Sequence, residues 1–135
     1  MAKIDAAKVW SLNYRQLTTI ITGVAPQLEA MGLEVKELFI LEAIDANPHP
    51  AALAEALCMP RPTVTVYLKR LESVGFVRRE IDAGDLRRHR LSVTPAGRKL
   101  LVRGLALLSE AYGERLARLS SAEQAQLAAL LEKLV

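Results

Sequence analysis

Cysteine occurs once in the 135 residues, as Cys58. A disulfide framework and a thiolate zinc cluster within the chain are thereby excluded, and such sparse usage fits a reducing cytosol. Aromatic residues make up only 4% of the sequence, whereas 51% is hydrophobic and dominated by Leu and Ala. That balance supplies a core and favours helix over sheet. No run approaches the roughly 18 uncharged apolar residues needed to span a bilayer. Lys3, Asp5 and Lys8 interrupt the first turns, and no signal-peptide apolar segment follows. The expectation is a cytoplasmic chain with one compact domain and no membrane association. A glycine-rich phosphate loop, a nucleophile elbow and an HExxH helix are all missing, so no enzymatic activity, catalytic residue or cofactor is expected. His49 and His89, the two histidines, lie far apart and lack neighbouring cysteines or carboxylates at metal spacing, so no metal site is expected.

What is present is a lopsided distribution of charge. Residues 1–60 carry net −3 and residues 104–135 net −1, whereas residues 61–103 hold eleven basic and four acidic groups, net +7. Charge runs are commonly solvated faces, but an excess this local points to a surface for a polyanion.

Apolar residues at three- and four-residue steps predict a long helix over 5–30, from Val9 and Trp10 to Val24 and Leu28, with Pro26 kinking or interrupting its far end. Gly32 marks its stop. A second helix is predicted over 34–45. The breaker cluster Asn47-Pro48-His49-Pro50 forms a loop, followed by a short helix over 51–57 and a tight turn at Cys58-Met59-Pro60. A fourth helix, over 61–74, buries Val64, Tyr67, Leu68 and Leu71 and ends at Gly75. The period then changes. Residues 76–81 and 90–93 read as strands around the turn Asp82-Ala83-Gly84-Asp85, a hairpin with a charged tip. Thr94-Pro95 caps and opens a long helix to about Arg118. Ser120 with Glu123 forms a capping box for a last helix to Leu134.

Helix, helix, tight turn, helix and hairpin, in that order, make a winged helix-turn-helix. The fold class expected is mainly α, with a small β-hairpin wing and long N- and C-terminal dimerisation helices. The expected division is 1–33 for the N-terminal dimerisation helix, 34–96 for the winged region and 97–135 for the C-terminal dimerisation helices. In such an arrangement the fourth helix enters the major groove of duplex DNA. Its buried stripe leaves Arg61, Pro62, Thr63, Thr65, Val66, Lys69 and Arg70 outward, a set of cations, hydroxyls and methyls suited to bases and phosphates. The hairpin adds Arg87, Arg88, His89 and Arg90, where arginine is attracted to a narrow minor groove. Asp85 is placed to orient Arg87 through a bidentate pair. The apolar terminal helices are too greasy to stand alone in water and imply a homodimer.

Three stretches carry a family resemblance: LAEALCMPRPTVTVYLKRLESVGFVRR at 53–79, DAGDLRRHRLSVTPAG at 82–97 and LSSAEQAQLAALLEKL at 119–134. The middle stretch is the most specific, with its D-x-R at Asp85 and Arg87 and its Thr-Pro-x-Gly helix start. The chain resembles the MarR family of bacterial transcription regulators over most of its length. The resemblance implies a homodimer whose first and last two helices interlace, and a pseudo-palindromic duplex site, with half-sites about 10 bp apart. It implies Arg87 as the wing-tip arginine, Asp85 as its partner, and Thr63, Thr65, Val66 and Arg70 on the recognition face. It also implies a small aromatic or phenolic effector, for which Trp10, Asn13, Tyr14 and Arg15 are candidates beside a packing role.

The chain departs from the family pattern at Cys58 and Pro60, where a glycine and a small capping residue are usual, at Glu34, a common Ser or Thr position, and at Leu86, a frequent basic position. Apolar neighbours Leu57 and Met59 predict a buried, inert Cys58. The function expected is a ligand-responsive repressor; the alternative is a winged-helix protein-interaction module that no longer binds DNA.

Overall fold

The computed structural model describes residues 2–135. The elements are α1 (Ala6–Ala30), α2 (Val35–Ile44), α3 (Pro50–Ala56), α4 (Arg61–Ser73), β1 (Val77–Asp82), β2 (Asp85–Val93), α5 (Pro95–Leu116) and α6 (Ser121–Leu134). They fall into two compact units that divide inside the long helices, not at loops. One is Met1–Val24 with Ala106–Val135; the other is Ala25–Leu105.

The second unit is the winged helix-turn-helix. Its core gathers Leu28 and Leu33, Leu38, Ile40, Leu41 and Ile44 of α2, Leu53 of α3, and Val64, Leu68 and Leu71 of α4. Val77, Leu91 and Leu101 complete it. Each such side chain contributes about 1.5–3 kcal/mol by leaving water. Tyr67 and Leu57, expected inside, are only half-buried, because each lies at the margin of its helix's apolar stripe.

Three helix ends share one closing device. After α1, Leu33 N–H donates to Leu28 C=O and Gly32 N–H to Glu29 C=O; after α4, Phe76 and Gly75 do the same to Leu71 and Glu72. Gly32 and Gly75 take φ of 84° and 82° there. After α3 the same pair of bonds runs from Met59 to Ala54 and from Cys58 to Glu55. Cys58 adopts φ 53° without being glycine. This left-handed position turns its side chain outward, so Cys58 is exposed, against the sequence expectation of a buried thiol. Apolar neighbours decided nothing there, since the backbone conformation sets the direction of Cβ.

The wing is an antiparallel hairpin in which Val77 pairs with Val93, Arg79 with Leu91, Glu80 with Arg90 and Ile81 with His89. Its second strand begins at Asp85, five residues earlier than expected. The arginine-rich segment gives no alternation to read, because its side chains are exposed on both faces. The register slips between Ile81 and Asp82, which pairs with Asp85, leaving Leu86, Arg87 and Arg88 without partners across the ladder. A bulge of this kind re-aims side chains near a strand's end.

The other unit joins residues 6–24 of α1, the end of α5 and all of α6. Gln16 donates to the Tyr112 hydroxyl at 3.4 Å, and Gln124 closes the α5–α6 turn by donating to the Leu116 and Leu119 carbonyls. The Ser120–Glu123 capping box forms as expected, and the Ser120 backbone N–H, followed by the Ser120 hydroxyl, holds the Glu123 carboxyl below the usual carboxylate range. Within this chain α6 buries no residue, and Trp10, Tyr14, Leu17, Leu130 and Leu134 are exposed.

Candidate nucleic-acid interface

The recognition helix is α4. Pro62 stands at its second position, where a missing N–H costs nothing. Val64, Leu68 and Leu71 turn inward, and that stripe fixes what turns outward. Arg61, Pro62, Thr65, Val66 and Lys69 are exposed, Val66 by 67%, and Thr63 is half-buried. Leaving a valine so bare costs solvation energy; it suits contact with a thymine methyl. The Thr65 hydroxyl donates to the Arg61 carbonyl at 2.9 Å. Its remaining lone pairs can accept only, so this side chain offers an acceptor and a methyl group.

Arg70 is on the outward face, its side chain 43% exposed, and is also engaged from within the chain. Its guanidinium donates to the Glu37 carboxylate and, at 2.8 Å, to the Gly32 carbonyl. Glu37 is fully buried, and its other oxygen accepts the Glu34 backbone N–H at 2.8 Å. Arg70 thus ties α4 to the α1–α2 junction while its side chain stays part-exposed. Glu34, though no Ser or Thr, starts α2 with this reciprocal bond.

The wing tip meets α3 and α4 around a cleft of about 490 Å³. Arg61 and Thr65 of α4, Glu55 of α3, and Arg87, Arg88 and His89 of β2 line it. Asp85 accepts the Arg87 backbone N–H at 3.0 Å and approaches its Nε at 3.4 Å through the same oxygen. The bidentate fork expected from sequence is therefore absent; the carboxylate fixes the turn and leaves both terminal nitrogens of Arg87 free. That side chain is 92% exposed. Arg90 stands outside the cleft, opposite Glu80, which also lies 3.8 Å from Arg78.

The wing is fastened to the helices at four points. Glu72 of α4 holds Arg79 at 2.7 Å, the Thr94 N–H donates to the Phe76 carbonyl, and the Leu91 N–H donates to the Pro48 carbonyl at 2.7 Å. The fourth is His49, whose Nδ1 lies 3.0 Å from the His89 carbonyl and Nε2 3.3 Å from the Asp82 carboxylate. Asp82 also accepts the Gly84 N–H, and this bond, with His49, Arg88 and Arg90 nearby, lowers its pKa. Sequence reasoning weighed His49 only as a metal ligand. No local signal marks its role, because its partners arrive through the tertiary fold.

The aromatic candidates do not form one pocket. Trp10 and Tyr14 stack on α1 with centroids 6.2 Å apart and planes 23° apart, with Asn13 beside them in the helix. Arg15 points about a third of a turn away. It lines a separate groove with Leu12, Gln16, Thr19 and Arg115.

The MarR-family profile matches residues 31–88. The transcriptional regulator HosA of Escherichia coli O157:H7 is 33% identical over 81% of this chain and 82% of its own. The chain belongs to the MarR family. The HTH-type transcriptional repressor Rv2887 of Mycobacterium tuberculosis is 29% identical over 99% of this chain and 98% of its own. The crystal structure of that MarR-family protein with salicylic acid matches with a TM-score of 0.77 and 27% identity, over 98% of each chain. The Staphylococcus aureus MepR–DNA complex matches with the same TM-score at 23% identity, covering 98% of this chain and 97% of its own, a likeness of fold. As a MarR-family member the chain is a transcription regulator. No helix among the described residues is long and apolar enough to cross a membrane.

Proposed function

We propose that this MarR-family chain is a cytoplasmic repressor that binds a pseudo-palindromic duplex operator as a homodimer and releases it on binding an aromatic acid. The observation that carries the reading is the cleft where the exposed start of α4 meets the wing-tip arginines. Arg61, Pro62, Thr63, Thr65, Val66 and Lys69 present a reading face to the major groove. Arg87, with its terminal nitrogens free, reaches the adjoining minor groove, and Arg88 adds phosphate neutralisation. Asp85 holds the turn that displays Arg87. The action is binding, with no catalytic step.

The exposed apolar side chains of α1 and α6 support the homodimer, since isolated patches of this kind are costly in water. The salicylic acid bound by the M. tuberculosis relative supports an aromatic carboxylate effector. Trp10, Asn13 and Tyr14 offer it a stacking face, and Arg15 with Arg115 offers a countercharge in a distinct groove. An effector releases DNA only if it binds two conformations of the dimer unequally.

Fluorescence anisotropy on duplexes from the gene's upstream region, in excess nonspecific DNA and across a salt series, tests the reading. Wild type should bind through the competitor, with affinity falling steeply with salt. Arg87→Ala should weaken it by about tenfold or more, on the order of 1–3 kcal/mol. Equal binding of both proteins to every duplex, or none after genome-wide selection of fragments, would sink it.

A further inference from the structure

We propose that Leu86 is a specificity-determining residue of the wing: seated in the minor groove beside Arg87, it admits A·T pairs and rejects the amino group of guanine. The inference rests on the DNA-binding reading above and adds to it a residue that reads by shape instead of charge.

The tip of the wing is pre-set. Asp82 accepts the Gly84 N–H at 2.8 Å and Asp85 accepts the Arg87 N–H at 3.0 Å, two Asx turns in succession. Leu86 is the central residue of the second. It leaves the ladder with Arg87 and Arg88 where the register slips. Leu86 is 79% exposed and the Arg87 side chain 92%. A single exposed leucine is ordinary on a protein surface. This one is held in a fixed turn next to a guanidinium with free terminal nitrogens, and the four residues that follow it are Arg87, Arg88, His89 and Arg90. Consecutive Cα atoms lie about 3.8 Å apart, so a groove that receives Arg87 meets Leu86 as well.

Leu86 can neither neutralise a phosphate nor bond a base edge. It can exchange water for the apolar walls of the minor groove, the C–H groups of deoxyribose, with a gain that follows the area covered. The floor of the groove decides whether it fits. A·T and T·A pairs show only acceptors there, whereas G·C adds the projecting N2 amino donor of guanine. Under a leucine that donor would lose its water and gain no acceptor, an uncompensated cost. A repulsive element of this kind discriminates between sites without adding a contact to the favoured one. Arg87 favours the same sequences, since A-tracts narrow the groove and deepen its negative potential. The two neighbours therefore serve one preference by separate means, and salt acts on only one of them.

The test uses the full-length protein and the selected operator duplex, with hydroxyl-radical footprinting to mark the base pairs under the wing. At those pairs diaminopurine replaces adenine, or inosine replaces guanine in a G·C variant of the site. These changes add or remove the minor-groove amino group and leave the major-groove edges as they were. Anisotropy then compares wild type, Leu86→Ala, Leu86→Lys and Arg87→Ala. Leu86→Ala should weaken binding to the A·T operator by about tenfold. Diaminopurine should weaken wild type by about tenfold and Leu86→Ala by less than about twofold, and inosine should recover most of what wild type loses on G·C. Across a salt series Leu86→Ala should run parallel to wild type, Leu86→Lys should be steeper by about two, one counterion for each wing of the dimer, and Arg87→Ala shallower. An equal diaminopurine penalty in wild type and Leu86→Ala would overturn the proposal and assign the preference to Arg87. Wild type that binds no duplex would refute the DNA-binding reading and this inference with it; wild-type binding that Leu86→Ala leaves unchanged would refute this inference alone.

Discussion

Arg70 donates a charge-assisted hydrogen bond to Glu37, joining the recognition helix to a carboxylate that has no exposed surface. Removing the arginine strands that charge in the core. Arg70→Ala should lose about 3 kcal/mol of stability, the usual cost of a buried ion left without its partner. Glu37→Gln, which strands no charge, should lose less. Urea unfolding at fixed protein concentration measures both. An Arg70→Ala protein of wild-type stability but impaired DNA binding would show that Arg70 acts on DNA and not on the fold.

Cys58 supplies a second prediction. A left-handed residue with a Cβ costs about 1–2 kcal/mol, while glycine's extra backbone entropy costs about 0.5–1 kcal/mol. The first term is larger, so Cys58→Gly should stabilise the protein by about 0.5–1 kcal/mol. Cys58→Ala keeps the strained φ and should be near neutral. A calorimetric Tm that falls in Cys58→Gly would contradict this account.

Gly97 and Gly104 both lie in α5 and are both buried, yet they should respond differently to alanine. A Cβ on Gly97 would stand 2.1 Å from the Phe76 carbonyl oxygen, the acceptor of the Thr94 N–H. Backbone cannot step aside cheaply, and Gly97→Ala should cost about 2–3 kcal/mol. At Gly104 the nearest atom, 2.6 Å away, is the tip of the Leu38 side chain. That rotamer can yield, and helix propensity repays about 1 kcal/mol, so Gly104→Ala should stay within about 1 kcal/mol of wild type. Equal losses at the two sites would show that backbone proximity is not the deciding factor.

Asp45, closing α2, pairs with Arg98 through two contacts of 2.8 and 3.0 Å. The Arg98 hydrogen bond holds the Asp45 carboxyl below its usual range. A depressed folded-state pKa means that the pair stabilises above the ordinary carboxylate value and stops doing so as pH falls through the folded one. Asp45→Asn should therefore lower Tm slightly at neutral pH, and the difference should shrink as pH falls below the ordinary carboxylate range. Because both groups are exposed, about 1 M salt should shrink it as well. A gap that widens with acid would reverse the assignment.

The sequence by itself determined the order and type of the elements, because periodicity, breakers and caps act over a few residues. The stripe of Val64, Leu68 and Leu71 settled which face of α4 is free. Thr94-Pro95 and Ser120–Glu123 settled where α5 and α6 begin, and the lopsided charge marked the basic third of the chain. Tertiary structure decided what depends on partners distant in the chain. It tied Arg70 to Glu37, turned Cys58 outward at a left-handed helix end, and bulged Leu86–Arg88 out of the ladder. It separated Arg15 from the Trp10–Tyr14 stack and set His49 between Asp82 and the His89 carbonyl. Each of these hangs on a hydrogen bond or a backbone angle satisfied across the fold, which side-chain periodicity does not encode.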